Sequence, residues 1–282
     1  MQDTLNQKIS DFYDQSTPIW LDTWGEHMHH GYYGVDGSER KDHRQAQVDL
    51  VEEMLYWAGV DQATRILDAG CGVGGSARYL AKRFGSSVLG LTLSAVQAEQ
   101  ARQYTLKTNL EKHVQFEVRD MMTLHASDGP FDLVWSMESA EHIRDKPRLF
   151  QVFYEVLQPG GQFLMATWCH RPTPPELSES DHKLLKKIGK LYHLPPMVSR
   201  PALEVYAAKA GFTEVTSVDW SQAVEPFWKA VIKTALRWQS VGGLLRAGLS
   251  TIKGAWAMRY MQQGFKRGLI EFAVLQGRKG VV

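Results

Sequence analysis

The sequence predicts an α/β fold, with a mostly parallel seven-stranded sheet carrying helices on both faces. Three observations predict it. Short apolar runs of strand length recur along the chain, and helical periodicity fills most of the intervals between them, as a parallel sheet requires. The first of these runs, Ile66-Leu67, ends in Asp68 and a glycine-rich turn, Ala69-Gly70-Cys71-Gly72-Val73-Gly74-Gly75. The hydrophobic fraction, 44% of 282 residues, is enough to bury a sizeable core.

In chain order, Ile9 to Tyr13 reads as the start of a helix, and Pro18 to Gly34 as an irregular stretch rich in aromatics and histidine. Arg44 to Trp57 has helical periodicity through Val48, Val51, Met54 and Leu55, and Gly59 stops it. Residues 1–60 therefore precede the first core strand and are expected to fold as a lid over a ligand pocket. His27, His29 and His30 stand too close together to share a helix face, and no cysteine or carboxylate pattern completes a zinc set. No metal is expected, and these histidines read as structural or substrate-contacting.

After the glycine turn, Ala77 to Phe84 reads as a helix, Ser87 to Leu93 as a strand, Ser94 to Thr108 as a helix and His113 to Val118 as a strand. Phe131 to Met137 is a strand, Lys146 to Leu157 a helix, Gln158-Pro159-Gly160-Gly161 a turn and Gln162 to Trp168 a strand. Helices follow over Asp181 to Tyr192 and Pro201 to Ala210, then a strand over Thr213 to Trp220. Glu225 to Gly268 reads as helical, and Leu269 to Gln276 as a last strand. One domain is expected, with a core of residues 61–220 and 269–282 and a helical cap over 221–268.

Net charge is +1, which gives no footprint for nucleic acid, but it is unevenly spread: residues 225–282 carry +8 and the first 224 carry −7. In the cap, Lys229, Lys233 and Arg237 share a helix face, with Trp228, Ile232 and Leu236 beside them. Arg246, Lys253, Arg259, Lys266, Arg267, Trp238 and Trp256 extend the pattern. A basic face beside an apolar one suits a substrate cap and peripheral contact with an anionic membrane. Two cysteines, Cys71 and Cys169, form no disulfide framework, so a reducing, cytoplasmic setting is expected. No stretch reads as a signal sequence or membrane span.

The glycines fall in the pattern G-x-G-x-x-G, as Gly70, Gly72 and Gly75. They free the backbone to turn and to approach a ligand, and the helix start behind them offers N–H groups. Alone, the pattern is also shared by nicotinamide and flavin enzymes. With Asp68 two residues ahead it resembles the first motif of class I methyltransferases, Rossmann-like enzymes that use S-adenosylmethionine. In these the loop holds the methionine end of the cofactor and the acid lies near its ammonium group.

Further stretches sharpen the resemblance: Trp24 to Tyr33 with His29-His30-Gly31-Tyr32-Tyr33, Gly90-Leu91-Thr92-Leu93-Ser94, Glu138-Ser139-Ala140-Glu141-His142, Thr167 to Pro172 and Asp219-Trp220-Ser221. Together they resemble the tocopherol O-methyltransferase branch, cyanobacterial type, over nearly the whole chain. The resemblance implies methyl transfer to a prenylated phenol such as γ- or δ-tocopherol. Relatives in the branch that methylate nitrogen in small alkaloid-like substrates keep an amine or indole acceptor open. A nicotinamide oxidoreductase is discounted because Thr92 stands where its acid belongs, and a cyclopropane synthase because the lid has no cysteine. A cofactor-binding protein without catalysis is set against by the intact Glu138, Glu141 and His142.

The resemblance also assigns residues. Asp68, Gly70 and Gly72 would hold the methionine end, with Thr92, Leu93 and Tyr33 also at the cofactor. Gln97 would take the ribose, although Ser94-Ala95-Val96-Gln97 equally reads as a capping box. Asp120 would accept from the adenine amino group, with Met121 against the ring. A phenol acceptor must lose a proton that titrates near ~10. A histidine beside a carboxylate suits that task, which makes His142 the first choice of base, with Glu141 or Glu138 orienting it or binding the acceptor.

Overall fold

The computed structural model describes residues 2–235 and 249–281. Gln2–Trp24 forms α1 and His43–Trp57 forms α2. The alternating part follows as β1 (Arg65–Ala69), α3 (Gly75–Phe84), β2 (Ser87–Thr92), α4 (Ala95–Lys107) and β3 (Val114–Val118). Next come β4 (Phe131–Met137), α5 (Lys146–Val156), β5 (Leu157–His170), α6 (Glu179–Leu191), α7 (Arg200–Lys209) and β6 (Phe212–Asp219). The chain ends with α8 (Ser221–Val224), α9 (Pro226–Ala235), a helix Leu249–Lys266 that we label α10, and β7 (Ile270–Lys279).

The strands form one seven-stranded sheet in the order β3-β2-β1-β4-β5-β7-β6. β1 to β5 pair in parallel, and β7 runs antiparallel between β5 and β6. Both faces are covered, so the inner strands read as continuous apolar runs. Alternate residues go to opposite layers, the two-residue period of a strand. On one face Leu133, Trp135, Leu164 and Ala166 pack with Leu50, Met54 and Leu80. On the other, Val134, Phe163 and Met165 pack with Phe150, Phe153 and Leu203. The expected sheet is the observed one.

Two local expectations fail. The stretch from Pro18 is helical to Trp24, continuous with the predicted helix start. A proline inside a helix removes a hydrogen bond. Here the loss is offset by aromatic packing along one face: Trp20 meets Phe12 at 5.3 Å between ring centroids and stacks on Trp24 at 5.8 Å. Gln158 to Gly161 is no free turn, because β5 already pairs at Leu157 and a register shift between Phe131 and Leu133 absorbs the extra residues. The described part of the cap is helical, as α8, α9 and α10. Leu236, Arg237, Trp238 and Arg246 lie outside the described residues, as do the side chains of Ile232, Lys233, Lys253 and Trp256.

Candidate active site

A cavity opens at the carboxyl ends of β1, β2 and β4, where strand order reverses between β1 and β4. Open parallel sheets bind ligands at such a switch point. Asp68 is the penultimate residue of β1 and is buried. Burial pushes its carboxyl up to about 7, against the opposing pull of the Ala77 N–H and the Arg78 charge. Its Oδ2 has no hydrogen-bond partner among the described residues. The turn behind it is tight on one side and open on the other. At Gly70 (φ +96°) an added Cβ would lie 2.2 Å from Ser139 Cβ, whereas at Gly72 (φ +53°) it would meet nothing within 4 Å.

Thr92 ends β2 and donates to Gln97 Oε1 at 2.9 Å. Ser94 accepts from the Gln97 N–H at 3.0 Å, but the Gln97 side chain does not return the bond to Ser94 N. That N–H goes to Thr92 Oγ1 instead, and Gln97 Nε2 lies 3.8 Å from Met28 Sδ. Only half of the capping box forms, and the Gln97 side chain is left on the cavity wall with Leu93. Asp120 and Met121 line the far end. There Asp120 Oδ1 accepts from Met122 N at 2.9 Å, and Oδ2 accepts from the side-chain amide of Asn6 at 2.6 Å.

Asn6 belongs to α1, which lies across the cavity mouth. Ser10 Oγ donates to Leu93 O at 3.0 Å, Asp14 accepts from Ser94 Oγ, and Ile9 and Tyr13 face inward. The Tyr13 hydroxyl meets His142 Nε2 at 2.9 Å. His142 lines the cavity, and burial, with the Lys146 and His193 charges, pushes its pKa down to about 3.

Glu138 follows the last residue of β4 and also lines the cavity, with a positive φ of 48°, a strained conformation for a residue with a side chain. Its carboxylate accepts from the His30 backbone N–H at 2.6 Å, from His30 Nδ1 at 2.7 Å and from Trp168 Nε1 at 3.2 Å. Burial would raise this carboxyl, but the His30 and His29 pairings carry it net below its ordinary value.

Two expected site residues lie elsewhere. Tyr33 is buried beside Ala46 and Phe227, away from the cavity, because its backbone is tied to Ala223 O at 2.9 Å. Glu141 faces the back of the sheet end, where Thr167 Oγ1 donates to it at 3.0 Å. Burial and the nearby Glu138 charge push its carboxyl up to about 8, and it is not hydrogen-bonded to His142. Sequence reasoning missed Asn6 and Tyr13, whose helical stretch carries no motif. It named His30 only as one of a histidine group.

The methyltransferase domain family matches residues 66–161, from β1 into β5. A probable chloroplastic tocopherol O-methyltransferase of Oryza sativa subsp. japonica is 42% identical over 98% of this chain and 78% of its own length. The chain belongs to the tocopherol O-methyltransferase family. The chloroplastic tocopherol O-methyltransferase of Arabidopsis thaliana is 38% identical over 98% of this chain and 83% of its own. Among solved structures, the [4+2]-cyclase SpnF superposes with a TM-score of 0.82 and 26% identity, covering 98% of this chain and 97% of that one. That likeness concerns the fold, which hosts more than one reaction.

The cofactor of this methyltransferase family is S-adenosylmethionine, and the cavity fits it on two observations. A buried carboxylate oxygen, Asp68 Oδ2, stands unpartnered at the cavity, as a cationic ammonium group requires. The open space beside Gly72 adjoins the start of α3, where a carboxylate finds free N–H donors.

Proposed function

We propose that the protein methylates a prenylated phenol such as γ- or δ-tocopherol, using S-adenosylmethionine. The observation that carries the reading is identity of 42% and 38%, over 98% of this chain, to tocopherol O-methyltransferases. It is supported by the apolar lining of the cavity, to which Ile9, Leu93, Met137 and Ile143 contribute.

When bound, S-adenosylmethionine supplies a methyl group on a sulfonium, an electrophile that needs no further acid. The chain's task is then mainly alignment. Asp68 holds the ammonium group, and Gly70 and Gly72 let the backbone come close to the methionine end. Thr92, Leu93 and Gln97 line the ribose side, and Asp120 with Met121 the adenine side. The Tyr13–His142 pair and Glu138 face the transfer region. Residues 1–60 act as a lid through α1, which excludes water, and 221–268 act as the acceptor cap on the core of 61–220 and 269–282. The exposed basic side of α6 and α10 rests against an anionic membrane, from which a prenylated substrate is drawn.

Incubation with labelled S-adenosylmethionine and a panel of γ-tocopherol, δ-tocopherol and cyclic amines tests this. Label is expected in the tocopherols. Label confined to the amines would replace the phenol with a nitrogen acceptor.

A further inference from the structure

We propose that Arg78 is a positioning residue for the cofactor, which locks the lid segment 25–33 onto the glycine loop, with Gly75 as the lid's seat. The segment runs between α1 and α2 and brings His27, Met28 and His29 to the cavity, which Gly70, Gly72, Gly75 and Ser76 also line. Arg78 stands in the first turn of α3 and is buried. Its Nη1 donates to Val73 O of the loop at 2.8 Å and to Ala101 O of α4 at 3.5 Å. Its Nη2 donates to Glu26 Oε2 of the lid at 2.6 Å. The guanidinium carbon also lies 5.3 Å from the Tyr104 ring centroid. One planar fork thus grips a loop carbonyl and a lid carboxylate together, which a point charge cannot do. A buried cation is costly without a partner, so Arg78 draws Glu26 down onto the core.

The third glycine of the motif is where the lid comes down. No left-handed φ requires a glycine at Gly75, the first residue of α3. Space requires it: an added Cβ would lie 2.3 Å from Glu26 O and 3.1 Å from His27 Cγ. In dinucleotide-binding folds the third glycine admits close packing of helix on strand. Here it admits the backbone of the lid. The same segment is held from behind by α2. Gln47 Nε2 donates to His27 O and, at 2.9 Å, to His29 O, and the Tyr32 N–H donates to Ala46 O at 2.8 Å. Segment 25–33 is therefore clamped between α2 and the start of α3.

Fixing the lid against the loop fixes the width of the cavity that both segments line. Loosening either contact leaves the Asp68 carboxylate in place but frees the lid to open, so the cost falls on cofactor dissociation more than on association. Arg78 also acts on the ammonium site through space. The titratable groups bearing on Asp68 are Arg78 and Cys71, and the Arg78 charge counters the burial that pushes the Asp68 carboxyl up.

The test uses the full-length protein carrying Gly75→Ala, Glu26→Ala, Arg78→Lys or Arg78→Met. Without cofactor, hydrogen–deuterium exchange over 25–33 should be faster in Gly75→Ala, Glu26→Ala and Arg78→Met than in the native protein, with β1 and β4 exchanging as before. Calorimetry should show S-adenosylmethionine bound ~10–100-fold more weakly by Glu26→Ala and Arg78→Met, the range for a lost hydrogen bond between charged groups. Stopped-flow traces should place most of that loss in dissociation. Arg78→Lys should fall between native and Arg78→Met, since an ammonium reaches one partner but not both. Arg78→Met alone should raise the pH below which cofactor binding weakens. If Arg78→Met fails to fold, the other three variants carry the test. Native exchange over 25–33 in both Gly75→Ala and Glu26→Ala would overturn the latch. A loosened lid with native cofactor affinity would overturn its positioning role. Weakened binding in Gly75→Ala with native exchange would mean that the methyl group meets the cofactor itself, and would overturn the seat. No methyl acceptor enters these measurements, so their outcome is independent of the phenol reading.

Discussion

Asp68 shows how one buried side chain ties the fold to binding. Its carboxyl is pushed up to about 7 by burial, and Oδ2 is unpaired among the described residues. A cationic ammonium group binds the carboxylate form only, so a proton on Asp68 competes with the cofactor. Affinity for S-adenosylmethionine should be flat above pH 7 and weaken about tenfold per pH unit below it, as calorimetry between pH 5.5 and 8.5 would show. Because this pKa is raised in the fold, its contribution to stability is full below the ordinary carboxylate value and is lost as pH rises through about 7. The gain in Tm on adding cofactor should therefore widen over that interval. A pH-independent affinity would remove Asp68 from the ammonium site. Gly72 gives a second check. A Cβ there meets no atom within 4 Å, but φ is +53° and the open space is the cavity. Gly72→Val should abolish cofactor binding in calorimetry, from backbone strain and from methyl groups in the ligand's space. Asp68, the glycines, Thr92 and Asp120 were legible because strand ends followed by turns announce themselves in sequence. His30 was not, since nothing local shows that its Nδ1 meets a carboxylate 108 residues away.

Among the elements, α1 departs furthest from its sequence reading. A proline and a crowd of aromatics argued for irregular chain, yet Gln2–Trp24 is one helix, because its rings pack on each other and its polar face meets the cavity rim. Local propensity lost to tertiary contacts that no window of sequence contains. The core strands were legible for the opposite reason: buried on both faces, they must be apolar throughout. α1 also competes with the cofactor, since the Asn6 amide donates at 2.6 Å to Asp120 Oδ2, the acceptor proposed for adenine. Cofactor binding must break that bond, whose net worth is ~0.5–1.5 kcal/mol. Asn6→Ala should tighten S-adenosylmethionine binding by ~2–10-fold while shortening its residence less than it speeds its entry, measured by stopped-flow fluorescence of the tryptophans on α1. Weaker binding in Asn6→Ala would mean that Asn6 supports the bound state instead.

At the scale of the molecule, the carboxyl ends of the strands face α1 and the cap, and positive charge collects beside them. α6 buries Leu184 and Ile188 and leaves Lys183, Lys186, Lys187 and Lys190 exposed. It packs on α10, where Arg259 and Lys266 are exposed too, and Lys187 Nζ lies 5.1 Å over the Tyr260 ring. No helix among the described residues is long and apolar enough to cross a membrane. Each lysine near an anionic surface contributes ~1 kcal/mol, and four together correspond to ~10³ in partitioning. The attraction acts over ~10 Å at 0.1 M salt and ~3 Å at 1 M, so it should vanish at high salt. The protein should therefore sediment with phosphatidylserine-containing vesicles at low salt. It should remain in solution with neutral vesicles or at 1 M salt, and substitution of all four α6 lysines by glutamine should release it at low salt. Retention of native binding by the fourfold variant would move the contact off α6. Equal recovery in the supernatant under every condition would leave the basic residues of α6 and α10 as a solvated face.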